Sequence, residues 1–256
     1  MFRPGFSPVS DSSYYRVLRF TSTGNDPFLC AAVGKSTFAR LLQSACPDWE
    51  VVTEPVSKWQ NIQSQGTFNL QQQKSGSALM RWSYTFQTHS CMSRMKTQLQ
   101  PPAPRLLQSE GGAVQVYERS IYSDRYIFAL NSFELGSINA TEWAIYQDWH
   151  SLLVEEFGQR VALEGIIYLR PPTVGYIYIY IYIHGQEQEV QQDYLEKLHV
   201  QHERWLLDKS TEVHSESLRA APVLMLDASV EFKSDPRVQH DYITKVRRHE
   251  EHLQSQ

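Results

Sequence analysis

Val33-Gly34-Lys35-Ser36-Thr37 is the stretch that decides how the rest of the chain is interpreted. It matches the second half of the phosphate-binding loop G-x-x-x-x-G-K-[ST], in which backbone N–H groups surround the phosphates of a nucleotide. The lysine of that loop reaches the β- and γ-phosphates, and the Ser/Thr hydroxyl binds Mg²⁺. Residues 37–42 suit a helix, whose N-terminal dipole adds to the attraction for phosphate. The first half of the pattern is absent, because Leu29 stands where the opening glycine is expected.

Composition limits the class of protein. A chain of 256 residues with 41% hydrophobic residues can form one α/β domain with a core of ordinary size. Its formal charge of -4 gives no general attraction to nucleic acid or to an anionic membrane, so neither is expected as a partner. No stretch approaches the ~20 apolar residues that cross a membrane. The three cysteines lack C-x-x-C spacing, which favours a reducing compartment over a disulfide framework or a zinc site.

The N-terminal stretch, residues 1–25, contains several serines and arginines and has Asp11 as its only acid. This composition is typical of a mitochondrial transit peptide, although Pro4 and Pro8 interrupt an early amphipathic helix. A disordered tail is the alternative, and the residues leave both open. The folded domain is accordingly expected at residues 26–256.

Short apolar runs alternate with longer helical segments along the chain. Strands are predicted at residues 27–33, 50–55, 113–117, 165–169 and 222–227. Helices are predicted at residues 82–100, 122–131, 141–157 and 193–209 and in the tail from residue 236. This alternation predicts a parallel sheet of about five strands that helices cover on both faces. Ligands bind such sheets at the carboxyl ends of the strands, where residues 34–37, Glu54 and Glu118-Arg119 fall, so one active site is expected there.

Five longer motifs follow one another along the chain. They are T-E-P-V at residues 53–56, R-W-S-Y-T-F-Q-T at 81–88, E-R-S-I-Y-S-D-R-Y-I-F at 118–128, Y-Q-D-W-H at 146–150 and Y-L-E-K-L-H at 194–199. Together they resemble the deoxyribonucleoside kinases of the deoxycytidine/deoxyguanosine kinase group, over about residues 32–169 and 194–232, and their details lean toward the deoxyguanosine kinase branch. The resemblance implies a P-loop kinase fold with a lid segment. It also implies an Mg²⁺-dependent enzyme of nucleotide salvage, which transfers the γ-phosphate of ATP or another nucleoside triphosphate to the 5′-hydroxyl of a deoxynucleoside.

The same resemblance implies a partner and a compartment. Kinases of this group form homodimers through helices, and the aromatic-rich helix predicted at residues 141–157 is the expected interface. The deoxyguanosine kinase branch implies a mitochondrial location, with the cytoplasm as the alternative.

Residues at the phosphate end of the site receive their roles from the resemblance. Glu54 is expected to take the proton of the 5′-hydroxyl, and Arg119 to orient that carboxylate and the phosphates. Glu118 is expected near Mg²⁺, together with the hydroxyl of Ser36. Taken alone, Glu54 would be a surface acid at a strand end and Glu118-Arg119 a surface ion pair, but the motifs favour the functional roles. The residues expected to bind the donor nucleotide are Gly34, Lys35, Ser36, Thr37, Glu231 and Phe232.

The nucleoside end of the site is assigned in the same way. The amide of Gln87 offers both a donor and an acceptor to the edge of the base, which Arg94 and Asp124 are expected to complete. Two aromatic residues are expected against the faces of the base, although single aromatics are more often core residues. Ser90 matches the serine of deoxyguanosine kinases, so purine deoxynucleosides are expected, deoxyguanosine before deoxyadenosine, with deoxycytidine as the alternative. The expected acceptor-binding residues are Trp59, Gln87, Ser90, Arg94, Asp124, Phe128 and, for the sugar, Glu187.

Three stretches depart from the family pattern: the loop at Leu29, the segment before residue 81, which lacks the family's sugar-binding tyrosine, and the lid, about residues 171–190. The lid carries a Tyr-Ile repeat at residues 176–183, and the family's arginine positions fall on Tyr178, Tyr182 and His184. Losing arginines that stabilise the transferred phosphoryl group costs on the order of 10³ or more in rate. One explanation is a splice or gene-model origin of these segments around a working kinase. The other is a catalytically impaired isoform or pseudokinase that binds nucleoside or dimerises with an intact partner.

Overall fold

A parallel sheet forms the centre of the computed structural model, which describes residues 15–22, 34–55, 59, 62–64, 66–68, 77–107, 113–171, 192–230 and 232–255. The described strands are β1 Tyr15–Ser22, β2 Glu50–Val52, β3 Ile62–Ser64, β4 Gly66–Phe68, β5 Ala113–Glu118, β6 Gly165–Arg170 and β7 Val223–Asp227. Five of them form the sheet in the order β2-β5-β1-β6-β7, with every neighbouring pair parallel, while β3 and β4 form a separate antiparallel pair. The sheet confirms the predicted α/β class and the strands predicted from residue 50 onward.

Helices connect the strands. Their bounds are α1 Lys35–Ala45, α2 Ser77–Gln98, α3 Pro104–Leu107, α4 Ile121–Ser123, α5 Leu130–Glu134, α6 Ala140–Phe157, α7 Gln192–Leu206, α8 Glu216–Ala220 and α9 Pro236–Gln254. A π-helical turn, Asp124–Ala129, joins α4 to α5, and a 3₁₀ turn, Gly158–Val161, follows α6. Each predicted helix is present, with ends that differ by a few residues. Among the described helices, none is both long and apolar enough to span a membrane.

The packing of β6 shows that helices cover both faces of the sheet. Successive residues of a strand point to opposite faces. Ile167 packs in a cluster with Phe38 of α1 and with residues of α9. Its neighbour Ile166 packs in a second cluster with residues of α2 and with Leu198 of α7. Because both faces are buried, the strand is a continuous apolar run, which is the feature that predicted it.

β1 lies at the centre of the sheet, between β5 and β6. Its backbone pairs with both neighbours, from Tyr15 opposite Ala113 to Ser22 opposite Leu169. Residues 15–22 are therefore a strand of the domain, where the composition predicted a transit peptide or a disordered tail. The arginines of this stretch favoured the targeting prediction, whereas its structure comes from pairing with strands far along the chain. The rest of the 1–25 segment and the whole of the strand predicted at residues 27–33 lie outside the described residues.

Candidate active site

Two acids and an arginine meet at the carboxyl ends of β2 and β5. Glu54 follows β2, and its backbone N–H donates to Oε2 of Glu118, the last residue of β5, at 3.3 Å. Nη1 of Arg119 donates to Oε1 of Glu54 at 2.9 Å. All three side chains are buried. The two strand ends therefore converge as a parallel sheet predicts, and their ion pair is shielded from water.

The backbone of Arg119 is left-handed, with a φ of 61°. This conformation costs a residue with a Cβ atom about 1–2 kcal/mol. Directly after it, Ser120 and Ser123 form a capping box in which each side chain accepts a hydrogen bond from the backbone N–H of the other. The capping box fixes the start of α4, and the turn between β5 and α4 holds the guanidinium group of Arg119 against Glu54.

Arg94 of α2 connects Glu54 to Asp124, the first residue of the π-helical turn. Its Nη2 donates to Oε1 of Glu54 at 2.6 Å, while its Nη1 donates to both carboxylate oxygens of Asp124. Arg94 is 3% exposed and Asp124 is 1% exposed. Removing one partner of such a buried pair costs about 3–5 kcal/mol, because the remaining charge is left without compensation. The pairing of Arg94 with Asp124 was expected from the sequence, whereas the bond from Arg94 to Glu54 was not.

The two predicted base-packing aromatics, Trp59 and Phe128, are both buried beside these arginines. Cζ of Arg94 lies 5.4 Å from the centroid of the Trp59 ring, and Cζ of Arg119 lies 4.5 Å from that of Phe128. Both distances are in the range of cation–π attraction. The indole Nε1 of Trp59 also donates to Oγ of Ser93 at 2.7 Å, which ties this ring to α2.

Three predicted residues follow one another on α2. Gln87, Ser90 and Arg94 are spaced by three and four positions, which places them on one face of the helix, and all three are buried. Nε2 of Gln87 donates to Oγ of Ser132 in α5 at 3.3 Å. The structure therefore brings the predicted base-edge residues together in one place. This place lies where α2 faces the π-helical turn and the adjoining helix α5.

The phosphate-binding stretch begins α1. Gly34 has a φ of 76°, a left-handed conformation that glycine adopts without steric cost, and Lys35 is the first helical residue. Lys35 is fully buried, and its positive charge acts on both Glu54 and Glu118. Ser36, by contrast, is exposed at the start of the helix. Thr37, partly exposed, accepts a hydrogen bond from Nη2 of Arg40 at 3.3 Å.

Phe232 lies against the phosphate-binding stretch. A Cβ atom added to Gly34 would lie 2.6 Å from Cζ of Phe232, so only glycine fits at this contact. The ring also packs against Phe38 and Tyr242, with centroids 6.4 and 5.3 Å away. The structure thus places Phe232 beside the predicted donor site, largely buried. The other predicted donor residue, Glu231, lies outside the described residues, as do Leu29, Glu187 and the Tyr-Ile repeat.

The chain matches known proteins over most of its length. The sequence pattern described as "Deoxynucleoside kinase" matches residues 30–251. The chain belongs to the deoxynucleoside kinase family. Mitochondrial deoxyguanosine kinase of Xenopus laevis is 44% identical over 237 residues, which are 89% of this chain and 87% of the relative. Deoxycytidine kinase 2 of Gallus gallus is 43% identical over 245 residues (91% and 90%), and deoxycytidine kinase of Homo sapiens is 42% identical over 242 residues (90% and 90%). The family, the P-loop kinase fold and the phosphotransferase class are thereby confirmed.

The two buried glutamates of this deoxynucleoside kinase differ in pKa. Burial acts to raise the pKa of Glu54, but the charges of Arg119, Arg94 and Lys35 outweigh it and hold the pKa below its ordinary value. Burial and the neighbouring charge of Glu54 raise the pKa of Glu118. Glu54 is therefore an anion at neutral pH and can accept a proton.

Glu118 gives the kinase a carboxylate oxygen suited to a cation. Its Oε1 is buried and has no hydrogen-bond partner among the described residues. A buried acceptor of this kind is normally satisfied by a donor or an ion. The part of the chain that the structure describes has no group of three His, Cys, Asp or Glu that could hold a metal alone. One carboxylate that shares the ion with substrate phosphates is the usual arrangement for Mg²⁺.

Several serines support the site of the kinase without having been predicted. Ser120-x-x-Ser123 could have been recognised from its spacing, because Ser at an N-cap with a polar partner three residues later forms a capping box. Ser93 and Ser132 contact Trp59 and Gln87 respectively, across different parts of the fold. Sequence spacing does not reveal such contacts.

Proposed function

We propose that the kinase transfers the γ-phosphate of ATP, or of another nucleoside triphosphate, to the 5′-hydroxyl of a purine deoxynucleoside, with deoxyguanosine preferred over deoxyadenosine. The observation that carries the proposal is the buried carboxylate of Glu54, which lies at a strand end between the guanidinium groups of Arg94 and Arg119. A carboxylate in this place can take the hydroxyl proton. Phosphoryl transfer depends mostly on positioning and charge neutralisation, which Lys35 and Arg119 supply.

Mg²⁺ fits this proposal through Glu118 and Ser36. The buried Oε1 of Glu118 and the exposed hydroxyl of Ser36 would hold the ion together with the phosphates of the donor. When bound, Mg²⁺ supplies positive charge that neutralises the phosphates during transfer.

The purine preference is supported by Ser90, which is buried on α2 between Gln87 and Arg94. The relative from Xenopus laevis is named a deoxyguanosine kinase, which agrees with this preference. A preference for deoxycytidine is the second candidate, because the relatives from Gallus gallus and Homo sapiens are named deoxycytidine kinases.

Steady-state assays of the purified protein with ATP and Mg²⁺ distinguish the candidates. We expect kcat/KM to fall in the order deoxyguanosine, deoxyadenosine, deoxycytidine, and we expect Ser90→Ala to shift the ratio toward deoxycytidine. A higher kcat/KM for deoxycytidine in the unmodified protein would support the second candidate. If no monophosphate forms from any of the three while calorimetry still detects binding, the protein is a catalytically impaired member of its family.

We also propose a homodimer formed through α6 and α7. Ile145 and Leu152 are exposed on α6, and Val200 of α7 and Leu207 just beyond it are exposed as well. Each pair is seven residues apart, so each helix presents one apolar side to solvent. Sedimentation should show a dimer that Leu152→Glu converts to a monomer. Met225→Gln, which changes an exposed apolar residue on the edge strand β7, should leave the dimer intact.

A mitochondrial location is proposed on the name of the Xenopus laevis relative. Because β1 is the central strand of the sheet, any leader that is removed from the mature enzyme must end before Tyr15. Residues 1–14 fused to a fluorescent protein should direct it to mitochondria. A cytoplasmic signal from this fusion would support the cytoplasmic alternative.

A further inference from the structure

The guanidinium group of Arg94 bridges two carboxylates that have different tasks in the proposed reaction. Nη2 donates to Oε1 of Glu54 at 2.6 Å, and Nη1 donates to both oxygens of Asp124. Oε1 of Glu54 also accepts a hydrogen bond from Arg119 at 2.9 Å, so two charged donors occupy the same oxygen atom. The carboxylate expected to take a proton and the carboxylate expected to read the base are thus linked through one side chain.

This bridge occupies space that a nucleoside requires. The base edge and the 5′-hydroxyl lie at opposite ends of a nucleoside, so a bound substrate has to separate Asp124 from Glu54. Here the guanidinium group of Arg94 lies between Asp124 and Glu54, with its Cζ 5.4 Å from the centroid of the Trp59 ring. A nucleobase that packs on Trp59 and bonds to Asp124 therefore competes with Arg94 for both.

The bridge also affects the capacity of Glu54 to act as a base. A carboxylate oxygen offers about two acceptor positions, and Oε1 of Glu54 already accepts from both Arg94 and Arg119. Departure of Arg94 would remove one donor from Oε1 and leave a position for the hydroxyl of the substrate.

We propose that Arg94 is a positioning residue that couples recognition of the nucleobase to the catalytic carboxylate. A base that takes over Asp124 and the face of Trp59 moves Arg94 away from Glu54, and Oε1 becomes available to the 5′-hydroxyl. The hydroxyl oxygen then bonds to the γ-phosphorus, its proton passes to Glu54, and the bond from that phosphorus to the leaving nucleoside diphosphate breaks. Acceptors whose base does not engage Asp124 leave the bridge in place and are turned over slowly even when bound. This inference rests on the proposed function.

Turnover of two acceptors gives the first test. One is deoxyguanosine, and the other is 1,2-dideoxyribose, which has the 5′-hydroxyl but no base. In the unmodified enzyme an acceptor without a base leaves the bridge in place, so its kcat at saturation should be about 10²-fold lower than that for deoxyguanosine. In Arg94→Met the bridge is absent with either acceptor, so the two kcat values should approach each other. Equal kcat values in the unmodified enzyme, or a ratio unchanged in Arg94→Met, would overturn the inference.

Arg125→Met is the matched control for loss of an arginine. Arg125 is next to Asp124 in the chain, but its Nη1 donates to the Gln147 carbonyl at 3.3 Å and to Oγ of Ser151 at 2.8 Å, both on α6. The difference between the kcat values for deoxyguanosine and 1,2-dideoxyribose should persist in this variant. If Arg125→Met abolishes it as completely as Arg94→Met, the effect is not specific to the bridge and the inference fails.

Crystal structures of the unmodified protein, with and without deoxyguanosine, test the same idea without any variant. We expect the Arg94–Glu54 contact in the free protein and its loss in the complex. A complex that keeps the contact overturns the coupling. If the protein still phosphorylates deoxyguanosine in that case, the proposed kinase function holds without the coupling. A complex that loses the contact without forming product supports the coupling and removes the proposed function. A protein that binds none of the deoxynucleosides overturns the coupling.

Discussion

The two sides of the proposed active site are built in different ways. The proposed acceptor side consists of side chains from α2, the π-helical turn and the segment after β2, namely Trp59, Gln87, Arg94, Asp124 and Phe128. The proposed donor side is a left-handed turn at the start of α1 with an aromatic ring against it, and consists of Gly34, Lys35, Ser36, Thr37 and Phe232. Every residue of the acceptor side is buried, whereas Ser36 is exposed on the donor side.

This difference predicts that the two sides respond differently to changes in sequence. The acceptor side depends on residue identity, because each charge or amide is matched to a partner, as Arg94 is to Asp124. Three of its residues, Gln87, Asp124 and Phe128, lie within motifs that the chain retains. The donor side depends on backbone shape and on loop length, since N–H groups surround the phosphates. On the donor side the sequence departs from the pattern of the family before Gly34, and its other two departures lie before residue 81 and in the lid, about residues 171–190.

Glu54→Gln tests the point where the two sides meet, and it has the largest expected effect. The amide keeps the shape of the carboxylate but cannot take the hydroxyl proton, so kcat should fall by about 10²- to 10⁴-fold. The measurement is kcat at saturating ATP and deoxynucleoside, with a thermal melt to confirm that the variant folds. Glu50→Gln, at the other end of β2, is the control, because Glu50 accepts from Gln115 at 2.8 Å away from the site. Turnover that is undiminished in Glu54→Gln would exclude this residue as the base.

A buried neutral histidine packs against the acceptor side, and it gives a prediction about how stability depends on pH. The ring of His202, on α7, stacks on that of Tyr168 with centroids 5.6 Å apart, and makes a T-shaped contact with the Phe128 ring at 6.0 Å. Burial lowers the pKa of His202 to about 3, from an ordinary value of 6.5. Below pH 6.5 the unfolded chain therefore binds a proton that the folded protein does not, and stability falls as pH falls. Between pH 6.5 and 5 this loss is about 2 kcal/mol.

Urea unfolding at pH 7 and pH 5 measures this loss. In His202→Gln the difference in unfolding free energy between the two pH values should be smaller than in the unmodified protein by about 2 kcal/mol. His240→Gln, on the exposed side of α9, should leave the difference unchanged. An equal pH dependence in the protein with and without His202 would mean that this side chain is not held neutral.

Sequence patterns predicted much of the fold for identifiable reasons. The strands β6 and β7 are continuous apolar runs. Cys91, Met95 and Leu99 recur at four-residue spacing, the first two on α2 and the third just beyond its end. Glu54 and Arg119 were expected to meet, because parallel strands bring their carboxyl ends to one edge. The bond from Arg94 to Glu54 was not predictable in this way. It joins a helix to a strand end 40 residues away, and no local pattern encodes such a contact.

The central strand β1 was missed because its evidence is also non-local. Arg16 and Arg19 give residues 15–22 the composition of a targeting segment, while the strand is fixed by pairing with β5 and β6. The position of β1 bears on the phosphate-binding loop. The spacing of the pattern placed the opening glycine at Leu29, five positions before Gly34. Since β1 ends at Ser22, the glycine that follows the strand is Gly24.

Deletion of residues 26–30 tests this new assignment on the donor side. Removing Asp26 through Cys30 leaves the sequence G-N-A-A-V-G-K-S, which satisfies G-x-x-x-x-G-K-[ST] with Gly24 as the opening glycine. We expect KM for ATP to fall on the order of tenfold, because the shortened loop has the length that surrounds phosphates with N–H groups. KM for the deoxynucleoside should not change, because the acceptor side is untouched. Replacing the same five residues with a Gly-Ser segment of equal length is the control, and it should not improve ATP binding. If the deletion leaves KM for ATP unchanged or raises it, Gly24 is not the opening glycine. The donor side would then not depend on loop length, and the contrast between the donor and acceptor sides would fail.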